Sequence, residues 1–220
     1  MRSLLALGLC LSSMCLAALG QEKDAKATQQ AKAETGWIEM FDGQSLKGWR
    51  ANENKDSWKV KDGMLVCAGP RSHLFYVGQD KPIKNFHFKA DVKTTKGSNS
   101  GIYFHTKFQD EGWPKFGYEC QVNVSHTDPK KSSGLYAVED VADPGVKDDE
   151  WYTQEIIVNG RNIQLKINGK TMVDYTEPED KASFSKDFER RLGEGTIALQ
   201  AHDPDSVVYF KNLLIKRLPE

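Results

Sequence analysis

"WYTQEIIVNGRNIQLKINGKTMVDY", residues 151–175, decides the fold. Two Asn-Gly pairs, Asn159-Gly160 and Asn168-Gly169, cut it into three runs of alternating apolar and polar residues. Asn and Gly tolerate the positive φ that a two-residue hairpin turn demands, so the three runs read as strands of one meander. Asp62-Gly63 repeats the signal inside "SWKVKDGMLVCAG" (57–69). Further strands are expected over 86–95, 101–107, 117–124, 196–202 and 207–217, with one short helix over 183–192 and a loop excursion over 140–150. Ten or more short strands separated by turn signals, with no internal repeat, predict an all-β fold: an antiparallel two-sheet β-sandwich.

The chain has 220 residues, a formal net charge of −1 and 39% hydrophobic residues, enough for one well-buried domain. A balanced charge without a basic stripe argues against nucleic acid as a partner. "MRSLLALGLCLSSMCLAALGQ" (1–21) has the form of a cleavable signal peptide ending at Gly20, with Arg2 before an apolar run and Ala18-Leu19-Gly20 as the cleavage site. The run, about 16 residues, is short of the roughly 20 needed to span a membrane. A periplasmic or secreted protein is therefore expected; the residues before Cys10 and Cys15 make poor lipoprotein signals. Residues 21–35 are polar and read as a flexible linker, leaving 36–220 as the folded domain. That domain holds two cysteines, Cys67 and Cys120, each among apolar neighbours, and buried thiols are preferred over a disulfide.

Three of the strands share an unusual face. Asn99, Gly101, Tyr103 and His105 alternate with Ser100, Ile102 and Phe104; Glu119, Gln121 and Asn123 alternate with Tyr118, Cys120, Val122 and Val124; Ala198, Gln200 and His202 alternate with Ile197, Leu199 and Ala201. Successive side chains point to opposite faces of a sheet, so one face of each strand is apolar and the other carries short donors and acceptors without Lys or Arg. Such a face suits sugar hydroxyls. Trp113, between two of these strands, is the candidate for stacking on a sugar ring.

"FDGQSLKGW" (41–49), "WKVKDGMLV" (58–66), "NSGIYFH" (99–105), "GYECQV" (117–122), residues 151–170 and "IALQAHD" (197–203) occur in this order, and together they resemble the 3-keto-disaccharide hydrolase domain family over 36–218. The resemblance implies a concanavalin A-like jelly roll and cleavage of 3-keto-glycosides supplied by a separate sugar 3-oxidoreductase. Laminarinases of that fold use carboxylates at i, i+2 and i+4 of one strand. Here those positions are Glu119, Gln121 and Asn123, so the two-carboxylate mechanism lacks a partner. A 3-keto sugar needs only one base for its acidified C2 proton, a group for the enolate oxygen and an acid for the leaving group.

The expected catalytic residues are His105, Glu119 and His202, with either His105 or Glu119 as the base and His202 as acid. Alternatively, all three surround a divalent metal that polarises the ketone. Asn99, Tyr103, Trp113, Gln121, Asn123 and Gln200 are the expected substrate contacts. Asp203 and Asp205 are candidates for a structural calcium, His126 and Asp128 for the cleft border, and Trp37, Trp49, Trp58 and Trp151 for the core. The rival reading is a non-catalytic carbohydrate-binding jelly-roll module.

Overall fold

The computed structural model describes residues 35–220, so the expected leader and almost all of the linker lie outside the described residues. Contacts divide the chain after Ile38, and Glu39–Glu220 forms one compact unit. The strands are β1 (Ile38–Glu39), β2 (Trp49–Ala51), β3 (Trp58–Lys61), β4 (Met64–Ala68), β5 (Ser72–Tyr76), β6 (Phe86–Thr94), β7 (Asn99–Thr106), β8 (Tyr118–Asn123), β9 (Tyr152–Asn159), β10 (Asn162–Ile167), β11 (Lys170–Thr176), β12 (Thr196–Ala201) and β13 (Val207–Arg217). They pair antiparallel in two sheets. The larger runs β11-β10-β9-β6-β13-β4-β3 and the smaller β2-β5-β12-β7-β8.

The meander forms as its turns dictate. β9 pairs with β10, and β10 with β11, around the two Asn-Gly sites. Asn168 and Gly169 take φ of 49° and 79°, and Asp62 and Gly63 take 51° and 74°, the left-handed pairs that close a two-residue hairpin. Along β6 buried and half-buried residues alternate, with Phe86, Phe88, Ala90 and Val92 facing the core. In β7 and β12, by contrast, every residue is buried. Their apolar faces, including Ile102, Phe104, Ile197 and Leu199, join the inter-sheet core. Their polar faces are roofed by the long loops that follow β7, β8 and β11, and there the cleft lies.

Cys67 on β4 and Cys120 on β8 are buried free thiols, and burial pushes both up to about 12. Trp49 and Trp58 are core residues whose indole N–H groups donate to the Met40 carbonyl and the Ser72 hydroxyl. Trp151 departs from the expectation. It is half-buried on the larger sheet, with the ammonium groups of Lys211 and Lys93 4.1 and 5.2 Å from its ring centre.

The helix expected over 183–192 does not form. Among the described residues the one helical segment is a 3-10 turn at Lys55–Ser57. Ser185 explains the difference: its hydroxyl accepts the N–H groups of Asp187 and Phe188, while its own N–H donates to the Phe188 carbonyl. Such local side-chain bonds offer the backbone an alternative to the helical ladder. No helix of the described residues is long and apolar enough to cross a membrane.

Candidate active site

The cleft has a volume of about 240 Å³. Its floor is the polar face of the smaller sheet, with Asn99 and Tyr103 from β7, Glu119 and Gln121 from β8 and Gln200 from β12. Its rim comes from four places: Trp113 and Lys115 after β7, Asp128 and Tyr136 after β8, Phe188 and Arg190 after β11, and His202 just beyond β12.

Glu119 is the floor's one carboxylate. It stands opposite Tyr103 in the β7–β8 register, with Gly101 opposite Gln121. Gly101 has a steric reason to be glycine, because a Cβ there would fall 2.2 Å from Glu119 Oε1. The carboxylate thus lies over the bare backbone of its neighbour strand. Oε1 accepts the Gln200 amide at 3.0 Å, and the same Nε2 donates to the Tyr103 hydroxyl at 3.1 Å. Burial pushes Glu119 up to about 7, and the Tyr103 hydroxyl, the Arg190 charge and the Gln200 amide only partly offset it. Burial, with Glu119 beside it, also holds the Tyr103 phenol well above its ordinary value. A carboxyl balanced near neutrality on an open cleft is suited to proton transfer.

The amides are fixed but not exhausted. Gln121 donates to Asn99 Oδ1 at 3.2 Å, and the Asn99 amide meets His126 Nδ1 at 3.3 Å. The carbonyl oxygens of Gln121 and Gln200 are buried with no protein partner, although both residues line the cleft.

His202 closes one end. Its Nδ1 is 2.6 Å from Asp203 Oδ2, so the carboxylate fixes the tautomer and leaves Nε2 for the cleft. Burial pushes Asp203 upward, but His202, Ser206 and the Asp205 N–H together hold it below the usual carboxylate range. Asp203 takes the N–H groups of Asp205 and Ser206, the Ser206 hydroxyl and the His202 ring, and these bonds close the turn. Trp113 lies 5.4 Å from the His202 ring, 5.4 Å from the buried His73 ring and 5.4 Å from the Arg71 guanidinium carbon.

Two expected site residues do not line the cleft. His105 leaves the polar face at a bulge: Thr196 pairs with Thr106 and Ala198 with Tyr103, so Phe104 and His105 together oppose Ile197. An extra residue reverses the alternation beyond it. His105 takes φ 55°, packs against Phe86 and Phe104, donates through Nε2 to the Lys84 carbonyl and accepts the Gly193 N–H at Nδ1. Gly117 and Gly195 flank this bulge, where a Cβ would fall 2.0 Å from the Phe104 carbonyl oxygen or 2.1 Å from that of Thr106. Both His105 nitrogens are occupied and burial lowers it to about 4, so it fits neither the base nor a metal set with Glu119 and His202. No cluster of three such ligands occurs among the described residues.

Asn123 remains on the expected face but is roofed by the following loop. Its amide donates to the Asp128 and Lys130 carbonyls and its oxygen accepts the His126 N–H. It shapes the loop that presents Asp128 instead of meeting a ligand.

Arg190, Phe188 and Tyr136 were not singled out by the sequence. Arg190 and Phe188 lie within the stretch expected to be helical, and Tyr136 lies in the segment between two expected strands. Arg190 is the main cation beside Glu119, and no local spacing in the chain announces a meeting between residues 71 positions apart.

The profile of the 3-keto-alpha-glucoside-1,2-lyase-like domain matches residues 36–216. The chain belongs to that family. A 3-keto-disaccharide hydrolase of Bacteroides thetaiotaomicron is 25% identical, over 83% of this chain and 79% of the relative. A Parabacteroides distasonis crystal structure described as a candidate glycosyl hydrolase superposes with a TM-score of 0.71 at 24% identity, covering 86% of this chain and 97% of that one. The carbohydrate-binding module CBM66 of Bacillus subtilis shares the jelly-roll fold at a TM-score of 0.55 and 12% identity, over 77% of this chain and 95% of the module.

Proposed function

We propose that the cleft cleaves 3-keto-glycosides, with Glu119 as the base that removes the C2 proton. The observation that carries this reading is Glu119 itself: the one carboxylate on a floor of amides, open to the cleft and raised by burial to about 7. The Asp128 oxygens accept the Lys130 N–H and the Tyr136 hydroxyl, so the second carboxylate of the cleft is committed to its loop.

The C3 ketone acidifies the C2 proton. Glu119 takes that proton and the C–H pair moves into C2–C3, leaving negative charge on the ketone oxygen. When the ketone re-forms, the pair moves into C1–C2 and the C1–O bond breaks, with the pair leaving on the aglycone oxygen. His202, as the imidazolium whose Nδ1–H is held by Asp203, gives its Nε2 proton to that oxygen and is left as the neutral Nδ1–H tautomer. Water added across C1–C2 then gives the free 3-keto sugar, a net hydrolysis; without water the product is the enone. Trp113 offers a stacking surface, and Asn99, Gln121 and Gln200 line the pocket as the polar groups for ring hydroxyls. A volume of about 240 Å³, just under the ~300–1,000 Å³ of most ligand pockets, suits the reacting ring, with the aglycone left toward solvent.

The test is turnover of nitrophenyl 3-keto-glucosides beside the unoxidised glucosides. Release from the keto substrate alone is expected. Equal release from both, or binding of the keto sugar without release, would sink the reading, the second outcome in favour of a carbohydrate-binding module.

A further inference from the structure

The proposed reaction puts negative charge on the C3 oxygen, and the strands of the floor offer only neutral groups and Glu119 near it. A cation is supplied by the loop between β11 and β12. Arg190 takes φ 45°, an uncommon conformation for a residue with a side chain that persists only where the surroundings enforce it. Its guanidinium stands 4.2 Å from the Phe184 ring centre and 5.1 Å from that of Tyr136, and Nη1 donates to the Tyr136 carbonyl at 2.9 Å. One of its five N–H groups is thereby used, and the planar fork remains beside Glu119 and Tyr103 on the cleft wall.

The loop is fastened by buried polar groups. The Glu177 carboxylate, 9% exposed, accepts both the Tyr118 hydroxyl and the Leu192 N–H. His105 accepts the Gly193 N–H, and the Glu189 N–H donates to the Lys115 carbonyl. These ties immobilise the backbone on both sides of Arg190. Fixed donors aimed at a developing charge are what an oxyanion site requires, because they need no reorganisation during the step.

We infer that Arg190 is the catalytic electrophile of this cleft, binding the C3 oxygen and carrying its enolate charge, and that Glu177 and His105 are positioning residues for the loop that presents it. This rests on the proposed 3-keto-glycoside chemistry. Glu119, whose ionisation reports on the arrangement, is faced by Tyr103 from β7, Gln200 from β12, Asp128 and Tyr136 from the loop after β8, and Arg190.

The experiment compares wild type, Arg190→Gln, Arg190→Lys and Glu177→Gln on a 3-keto-glucoside across pH 5–9, with and without added guanidinium chloride. Arg190→Gln is expected to lower kcat about 10²–10³-fold, the usual effect of losing an oxyanion donor, with a much smaller change in KM. Its acidic limb of kcat/KM should move to higher pH, because the cation that favours the Glu119 carboxylate is gone. Guanidinium should restore part of the rate, and Arg190→Lys should keep the limb while losing rate. Glu177→Gln should shift the limb the same way by less. If the wild type turns over but Arg190→Gln, folded by circular dichroism, keeps kcat within about threefold and an unmoved limb, the electrophile assignment falls while the function stands. If the wild type cleaves no 3-keto-glucoside, both fall.

Discussion

The floor of the cleft stands on three hydrogen-bonded strands, whereas its rim stands on loops shaped by buried polar ties. On the floor, position follows from alternation: Tyr103, Glu119 and Gln121 share a face because the pleat requires it. On the rim, position follows from contacts far apart in sequence, such as Glu177 with Leu192 or Arg190 with Tyr136. The floor is thus a property of local pattern and the rim a property of the finished fold. Substitution of the floor's carboxylate should act on chemistry and those in the rim on binding, Arg190 and His202 being the exceptions.

The largest test of that division is Glu119→Gln, which keeps shape and removes the base. It is expected to lower kcat about 10²–10⁴-fold, the range for general-base catalysis, with sugar binding by calorimetry retained; lost binding would show that the floor and rim roles are mixed. Gly101→Ala comes next. Its Cβ would push Glu119 from its bed, and a kcat loss of about 100-fold, the scale for a misplacement near 1 Å, is expected with little change in KM. Full activity would mean that the carboxylate needs no fixed seat. On the rim, Trp113→Ala should raise KM about tenfold, equivalent to about 1.4 kcal/mol of lost stacking, and spare kcat.

The smallest expected effect is thermodynamic. Glu119 is protonated more readily when folded than when unfolded, so the native state binds the extra proton between pH 4.5 and about 7. Stability contributed by that proton is present below the unfolded value and is lost as pH rises through the folded one. Since the side chain is open to the cleft, the shift is discounted to about 1–2 kcal/mol. Denaturant unfolding at pH 5 and pH 8 should show this decline in the wild type and not in Glu119→Gln.

Legibility follows the same line. The Asn-Gly and Asp-Gly turns, the alternation of β6 and the polar faces of β7, β8 and β12 are written in adjacent residues, and the sandwich and most of the floor were readable from them. His105 was not, because a bulge is one inserted residue and leaves no mark in composition. Arg190 was not either: Ser185 competes with a helix through bonds invisible to periodicity, and the wall it builds closes only in three dimensions. Asn123 was read on the correct face, but only the roofing loop decides whether a face meets ligand or protein.

The two thiols put a clock in each half of the molecule. Cys67 sits in the larger sheet and Cys120 in the smaller, one residue from Glu119, both sealed from solvent and held in the unreactive thiol form. Both side chains lie in the one core between the sheets, so an alkylating reagent reaches either only when that core opens around it. Measured separately by mass spectrometry, the two labelling rates would time how often that core opens beside β4 against how often it opens beside β8, in a chain carrying no added probe.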